Sequence, residues 1–511
     1  MGELANRIDA ILALDPDAQA VEFEGRWLTW GDLARARSAI DAILSGAGLG
    51  PQCRIGVFIR NDAALLPAIL AVIGDRCLVT LNPMQSPAKL AEDSLAANVP
   101  AVIGMAADVE APELSAALKS LGCLVVELTG RTDAPAIVRQ ERSSANVAAA
   151  RSVEEDVALE MLTSGTTGAP KRVPMRREAF EAAVFGAARF EKGRNSDDAP
   201  RLRKGVQLLM APLAHISGML AFMNALMAGR SIGLLERFRV DDFRDVVKRH
   251  AIKAASVPPA ALKMIYDAAV PVEDLSSLQA FRVGTAPLDP DLADAVYERY
   301  QIPVLQNYGA TEFGGVAGWT LDDFVAFRET RRGAVGRLNP GVEGRVVDPE
   351  TLVPLAAGET GILELRSRQI GDGESWTRTT DLARLDAERF LWIVGRSDNA
   401  IIRGGFKVHP DELIRAIQAH PAVAEASVIG LADGRLGQVP AAAILLDASK
   451  PAPSVEQLKA FLRSSLSSYQ LPVLFHFLPS LPRTASMKVD QRALREILQP
   501  LHDGAATSAP A

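Results

Sequence analysis

From Arg54 to Leu128 the chain repeats one beat, a short apolar run followed by a stretch with helical spacing. Arg54-Ile55-Gly56-Val57-Phe58-Ile59 reads as a buried strand, Ala63–Ile73 as a helix, and Cys77-Leu78-Val79-Thr80-Leu81 as a strand closed by Asn82-Pro83. Helix and strand recur at Ala88–Ala97 and Val99–Gly104, then at Glu113–Leu121 and Cys123–Leu128. This alternation predicts an α/β fold of layered, largely parallel sheets. The strands Val206–Ala211, Phe281–Val283 and Val304–Asn307 each end in a polar or glycine-containing cluster, and the strand Ala254–Val257 ends in Pro258-Pro259. In open α/β sheets, ligand crevices form at the C-terminal ends of strands.

A chain of 511 residues exceeds what one core organises, so two or three domains are expected. Val21–Trp30 predicts a hairpin and Gly31–Ser45 a helix, while residues 131–156 read as a surface connection. From about Gly333 the texture changes to short β runs between Gly and Pro, which suggests a β subdomain at about 333–394. The polar junction Gly395–Asn399 separates a large N-terminal domain, 1–396, from a small domain, 397–511, whose compact α+β unit is expected to run to Leu498 before a disordered tail from about 504 to 511. Net charge is −7, so capture of nucleic acid or of an anionic membrane is not expected. No apolar run approaches the roughly 18 residues of a membrane span, and Met1–Arg7 does not read as a signal peptide. Cys53, Cys77 and Cys123 lack metal spacing and read as buried thiols in a reducing compartment, with cytoplasm the expected location. A small-molecule partner fits this balance, for a monomer or homodimer.

Thr163-Ser164-Gly165-Thr166-Thr167-Gly168-Ala169-Pro170-Lys171 is the most chemically loaded stretch. Glycines let successive N–H groups face one point, the hydroxyls add donors and the lysine adds a cation, which together make a polyphosphate cradle. It is not a Walker A loop, because Pro170 precedes the lysine and β-formers follow where that motif runs into a helix.

This loop resembles the phosphate-binding motif of the adenylate-forming superfamily, which includes acyl- and aryl-CoA synthetases. Further matches follow in order: Pro212–Gly218, Gly284–Leu288, Asn307–Glu312, Thr380-Asp381, Gly395–Asn399, Gly404–Pro410 and Pro482–Lys488. The resemblance implies activation of a carboxylic acid by ATP to an acyl-adenylate, then displacement of AMP by a thiol, with ATP, Mg²⁺ and coenzyme A as cofactors. It implies that Thr163, Ser164, Gly165, Thr166, Thr167, Gly168 and Lys171 hold phosphate, and that Glu312 binds the metal with help from Thr166. Gly284, Thr285, Ala286, Asn307, Tyr308, Gly309 and Thr311 fall in its nucleotide-binding segments, with Tyr308 stacking on adenine. Asp381 would bind the ribose and Arg396 would lie beside the same nucleotide. Lys488, on a mobile C-terminal domain, would bridge the acid carboxylate and α-phosphate. Asp398 matches the hinge, and Gly404 and Gly405 would line the thiol's approach. Two departures stand out: Thr380 and Met487 occupy positions where the family commonly has glycine.

His215 matches the residue that gates the acid pocket. Phe185, Ile216, Val257, Ala310, Phe313 and Gly314, with Gly284, Thr285 and Ala286, are the candidate walls. Their apolar character suits an aromatic, alicyclic or medium-chain acid. Relatives that activate amino acids carry an aspartate near the start of the segment matching Pro212–Gly218; Ala214-His215-Ile216-Ser217 has none, so a buried ammonium would go unpaired. Coenzyme A is the expected acceptor, a discrete acyl carrier protein the alternative, and a catalytically impaired adenylate-binding protein a third reading.

Overall fold

The computed structural model describes residues 2–83, 85–131, 134–143, 156–163, 171–186, 198–310, 313–368, 370, 373–397, 400–403, 406–433, 436–484 and 487–507, with backbone alone at 163, 171, 402, 406, 407 and 504–507. They fall into two compact units, the first drawn from Met1–Gly165, Ala169–Gly315 and Arg368–Ile370, the second from Val316–Ser367 and Gly371–Ala511. The fold is α/β, with helices layered on sheets.

The repeating beat builds a seven-stranded sheet in the first unit. Its order is Ala136–Gln140, Leu124–Leu128, Ala101–Met105, Arg54–Phe58, Cys77–Leu81, Val157–Thr163, Lys171–Arg176. The inner pairs are parallel and the two outermost pairs antiparallel. Strands buried on both faces read as continuous apolar runs; Cys77–Leu81 and Leu124–Leu128 are buried at every position. The edge strand Ala136–Gln140 corrects the expectation that 131–156 is only a connection. It is mostly exposed and lacked the buried signature.

A second sheet pairs Gln19–Phe23 in parallel with Arg230–Leu234, flanked by Arg203–Leu209 and by the expected hairpin partner Arg26–Thr29. The helix that follows, Trp30–Gly46, starts with a reciprocal capping box between Thr29 and Asp32, which satisfies two of its free N–H groups. Ala254–Val257, Ala280–Val283 and Val304–Ala310 form a third set, parallel and in register, over a core of Phe243, Val247, Phe281 and Val283.

In the second unit, Gly336–Leu338, Phe390–Arg396, Thr377–Leu385, Thr360–Arg366 and Glu343–Val347 form an antiparallel array. The C-terminal residues pair Val423–Asp433 with Gly437–Leu446 along most of their lengths and add Leu474–Phe477 in parallel. The last helix runs Gln491–Thr507 with Pro500 inside it, past Leu498, the expected end of the compact unit, and into the first residues of the tail expected to be disordered. The expected boundary at 396/397 lies inside this second unit.

All three cysteines are free and buried. Burial pushes the Cys123 thiol up to about 11 and raises that of Cys77 further, where Glu160 adds to the effect. Among the described residues no helix is long and apolar enough to cross a membrane.

Candidate functional site

In the first unit, the Pro212–Gly218 segment is pinned by a residue that sequence reasoning missed. Asn61 is 5% exposed, just beyond the strand Arg54–Phe58. Its Nδ2 donates to the carbonyls of Met210 (3.4 Å), Ala211 (3.2 Å) and Leu235 (3.0 Å), while its Oδ1 accepts from the Leu213 N–H at 2.9 Å. One buried amide thereby satisfies backbone groups that no sheet reaches. The loop then turns into the helix Ile216–Met227, with half-buried His215 as its N-cap residue. The His215 N–H donates to the Pro212 carbonyl at 2.9 Å. Gly218 is required here, because a β-carbon would strike the Pro212 carbonyl and lie 2.7 Å from the Ala211 oxygen.

The three parallel strands bring several expected residues together at their C-terminal ends. Gly284 is buried, and a β-carbon on it would occupy the place of the Asn307 amide, whose Cγ would be only 3.0 Å away. The next residue, Thr285, takes φ 73°, a conformation costly for a side chain with a branched β-carbon. Tyr308 and Phe313 stack at a tilt, their centroids 5.8 Å apart and planes 43° apart, and Phe313 is buried. Gly309 packs directly on the backbone of Gly314 and Gly315. Ala286, Ala310, Gly314, Ile216 and Phe185 are half-buried, whereas Val257 is buried in the core beside Phe281 and Val283.

In the second unit, Asp381 and Arg396 are direct partners on adjacent antiparallel strands. The departure at Thr380 has a local account. Its Oγ1 accepts from the Arg396 guanidinium at 2.6 Å, and its carbonyl accepts from the Ser397 N–H at 2.7 Å and the Ser397 hydroxyl at 2.9 Å. Thr380 and Asp381 lie within the strand Thr377–Leu385 rather than in a turn. Asp411, in the first turn of the helix Pro410–Gln418, also escaped sequence reasoning. Its carboxylate accepts from the Arg396 N–H and packs on Gly395, where a β-carbon would lie 2.8 Å from Oδ2. Burial raises this carboxyl above its ordinary value and Asp381 pushes the same way, while Arg415 and His409 oppose them. Arg415 adds a bond to the Val394 carbonyl at 3.2 Å.

Exposed Lys488 follows Met487, which adopts φ 65°. The backbone at this departure therefore keeps a glycine-like conformation with a methionine in it. Ser164 to Gly168, Thr311, Glu312, Asp398, Gly404 and Gly405 lie outside the described residues, as do the side chains of Thr163 and Lys171.

Residues 9–373 match the family described as AMP-binding enzyme, and residues 415–488 match the AMP-binding enzyme C-terminal domain. Peroxisomal OPC-8:0-CoA ligase 1 of Arabidopsis thaliana is 28% identical, across 93% of this chain and 89% of that protein. The 2-succinylbenzoate–CoA ligase of Bacillus cereus is 28% identical, across 95% and 97%. Among solved structures, o-succinylbenzoate CoA synthetase of Bacillus subtilis with its acyl-adenylate intermediate superposes with a TM-score of 0.76 at 24% identity, covering 97% of this chain and 98% of that one. The chain belongs to the AMP-binding enzyme family.

Proposed function

We propose that this AMP-binding enzyme is an ATP-dependent carboxylic acid–CoA ligase of the cytoplasm, acting on an acid with an apolar body, aromatic, alicyclic or medium-chain. The observation that carries the reading is the pairing of Asp381 with Arg396 on adjacent strands. A carboxylate beside a guanidinium offers an acceptor for ribose hydroxyls and a cation for the nucleotide phosphate. Thr380 fixes the guanidinium at 2.6 Å, so the cation is oriented before any ligand arrives.

In the first half-reaction a carboxylate oxygen of the acid attacks the α-phosphorus. The bond from that phosphorus to the bridging oxygen breaks, and pyrophosphate leaves with the electron pair. Lys488 supplies a positive charge to two oxyanions brought together, which a point charge on a flexible stem can do. Thr163–Lys171 holds the leaving phosphates. Glu312 and Thr166 offer the hard oxygen donors that Mg²⁺ takes, and the ion when bound would neutralise phosphate charge. In the second half-reaction the CoA thiolate attacks the acyl carbon and AMP leaves. Gly404 and Gly405 line that approach after the domain beyond residue 396 turns about Asp398. His215, the N-cap residue of the helix Ile216–Met227, would gate the acid pocket.

The test is acid-dependent ATP/pyrophosphate exchange with a panel of aryl and fatty acids, followed by mass analysis with CoA or carrier protein as acceptor. Folded protein that exchanges with no acid would sink the reading. Lys488→Ala should abolish exchange and spare the reaction of a pre-made acyl-adenylate with CoA; equal loss of both steps would contradict the role given to Lys488.

A further inference from the structure

We propose that Arg282 is a specificity-determining residue of the acid pocket, and that the acid it selects carries a second carboxylate at the far end of its apolar body. The proposal rests on the ligase reading above, together with the candidate pocket wall Gly284. Register decides where Arg282 points. In the parallel set Ser256 aligns with Arg282 and Arg282 with Leu305, while Val257 aligns with Val283 and Val283 with Gln306. Side chains alternate between faces along a strand, and residues in register share a face. Val257, Phe281 and Val283 all enter the core, so Arg282 and Gly284 lie on the opposite face, with Leu305 and Asn307. The Asn307 amide packed on Gly284 is a direct witness to that shared face.

On this face Ala280 and Leu305 are each 5% exposed, whereas Arg282, Asn307 and Gly309 toward the C-terminal ends of the strands, and Ala254 and Ser256 on the neighbouring strand, are exposed. Arg282 lies two residues before Gly284, about 6.6 Å along the strand at roughly 3.3 Å per residue. It is thus set back from the Gly284–Leu288 turn, on the same surface. Arg282 has no ion pair or hydrogen bond among the described residues. Most other strand arginines are committed: Arg54 to Glu160, Arg345 and Arg378 to Glu364, Arg366 to Glu343. A guanidinium stays charged and presents five donors in a planar fork matched to a carboxylate. An entirely apolar acid settling over it would strip water from a cation and return nothing. A terminal carboxylate supplies the missing partner bidentately.

The experiment uses matched acids that share a body and differ by one terminal carboxylate: octanoate with octanedioate, and cinnamate with 4-carboxycinnamate. ATP/pyrophosphate exchange is measured for the full chain and its Arg282→Met and Arg282→Lys variants. The expected result is a diacid preference in the unaltered protein. Arg282→Met should lose roughly 10- to 100-fold in kcat/KM on the diacid, the range of a lost charge-assisted bond, with the monoacid unimpaired and KM for ATP unchanged. Arg282→Lys should recover part of the loss. A monoacid preference in the unaltered protein, or an equal fall on both members of each pair, overturns the proposal while leaving the ligase reading intact. Exchange with no acid at all overturns the ligase reading, and this inference with it.

Discussion

Replacing Met487 with glycine should tighten the loop that presents Lys488. Met487 holds φ 65° in a loop closed by backbone hydrogen bonds. Its N–H donates to the Thr484 carbonyl at 2.9 Å, the Thr484 N–H donates to the Lys488 carbonyl at 2.8 Å, and the Asp490 N–H donates to the Pro482 carbonyl at 2.8 Å. Arg483 donates to the Met487 carbonyl at 3.0 Å and pairs with Glu425 at 2.6 Å. A residue with a β-carbon gives up roughly 1–2 kcal/mol in this region. Glycine removes that strain but loses more chain entropy on folding, about 0.5–1 kcal/mol. The strain wins by about 0.5–1 kcal/mol, or roughly two- to fivefold in the opening equilibrium. Hydrogen exchange at the amides of residues 484 and 487 reads that equilibrium directly. Protection should rise about two- to fivefold in Met487→Gly by the same arithmetic and fall in Met487→Val, whose branched side chain resists the conformation more. Reduced protection in the glycine variant would refute the strain argument.

Two glycines expected to lie in nucleotide-binding segments should behave differently when changed to alanine. In Gly309→Ala the new methyl meets the backbone of Gly314 and, at 2.8 Å, the Cα of Gly315, so the strand must shift at a cost of about 1–3 kcal/mol. In Gly284→Ala the nearest atoms it meets all belong to the Asn307 side chain, which can turn away for about 0.5–1.5 kcal/mol. Thermal melts should show the larger loss for Gly309→Ala, while Gly284→Ala should raise KM for ATP with little change in melting; the reverse order of melting losses contradicts the assignment. For Asp411 the raised carboxyl means the folded state binds its proton more tightly than the unfolded chain. Stability from this group is therefore present below the ordinary carboxylate range and is lost as pH rises through the raised folded value. Asp411→Asn keeps an oxygen for the Arg396 N–H and removes the charge, so it should raise the melting midpoint at pH 7 and lose that advantage near pH 4. A lower midpoint at pH 7, or a gain that ignores pH, would contradict this.

What the sequence reveals and what it conceals divides by range. The seven-stranded sheet is legible because strand and helix alternate locally, and each buried strand spells itself as an apolar run. Asp381 and Arg396 are legible as motif members, and the register sets them opposite each other. The pairing of Gln19–Phe23 with Arg230–Leu234 is not, since parallel partners about 200 residues apart leave no local trace. The strand Ala136–Gln140 is hidden for the opposite reason, being too exposed to show a hydrophobic period.

Asn61 and Asp411 are hidden more deeply. Each acts through backbone groups: Asn61 through the carbonyls that end two strands, Asp411 through the N–H of Arg396. Side-chain identity at those partners is irrelevant, so no spacing rule could have linked them. Arg282 is the intermediate case. Its alternation with Phe281 and Val283 was readable, but its meaning waited on the register that put Asn307 on the same face. The residues expected to carry the shared chemistry are thus the ones a motif can find, and Arg282, proposed to select the acid, is found only once the strands are paired.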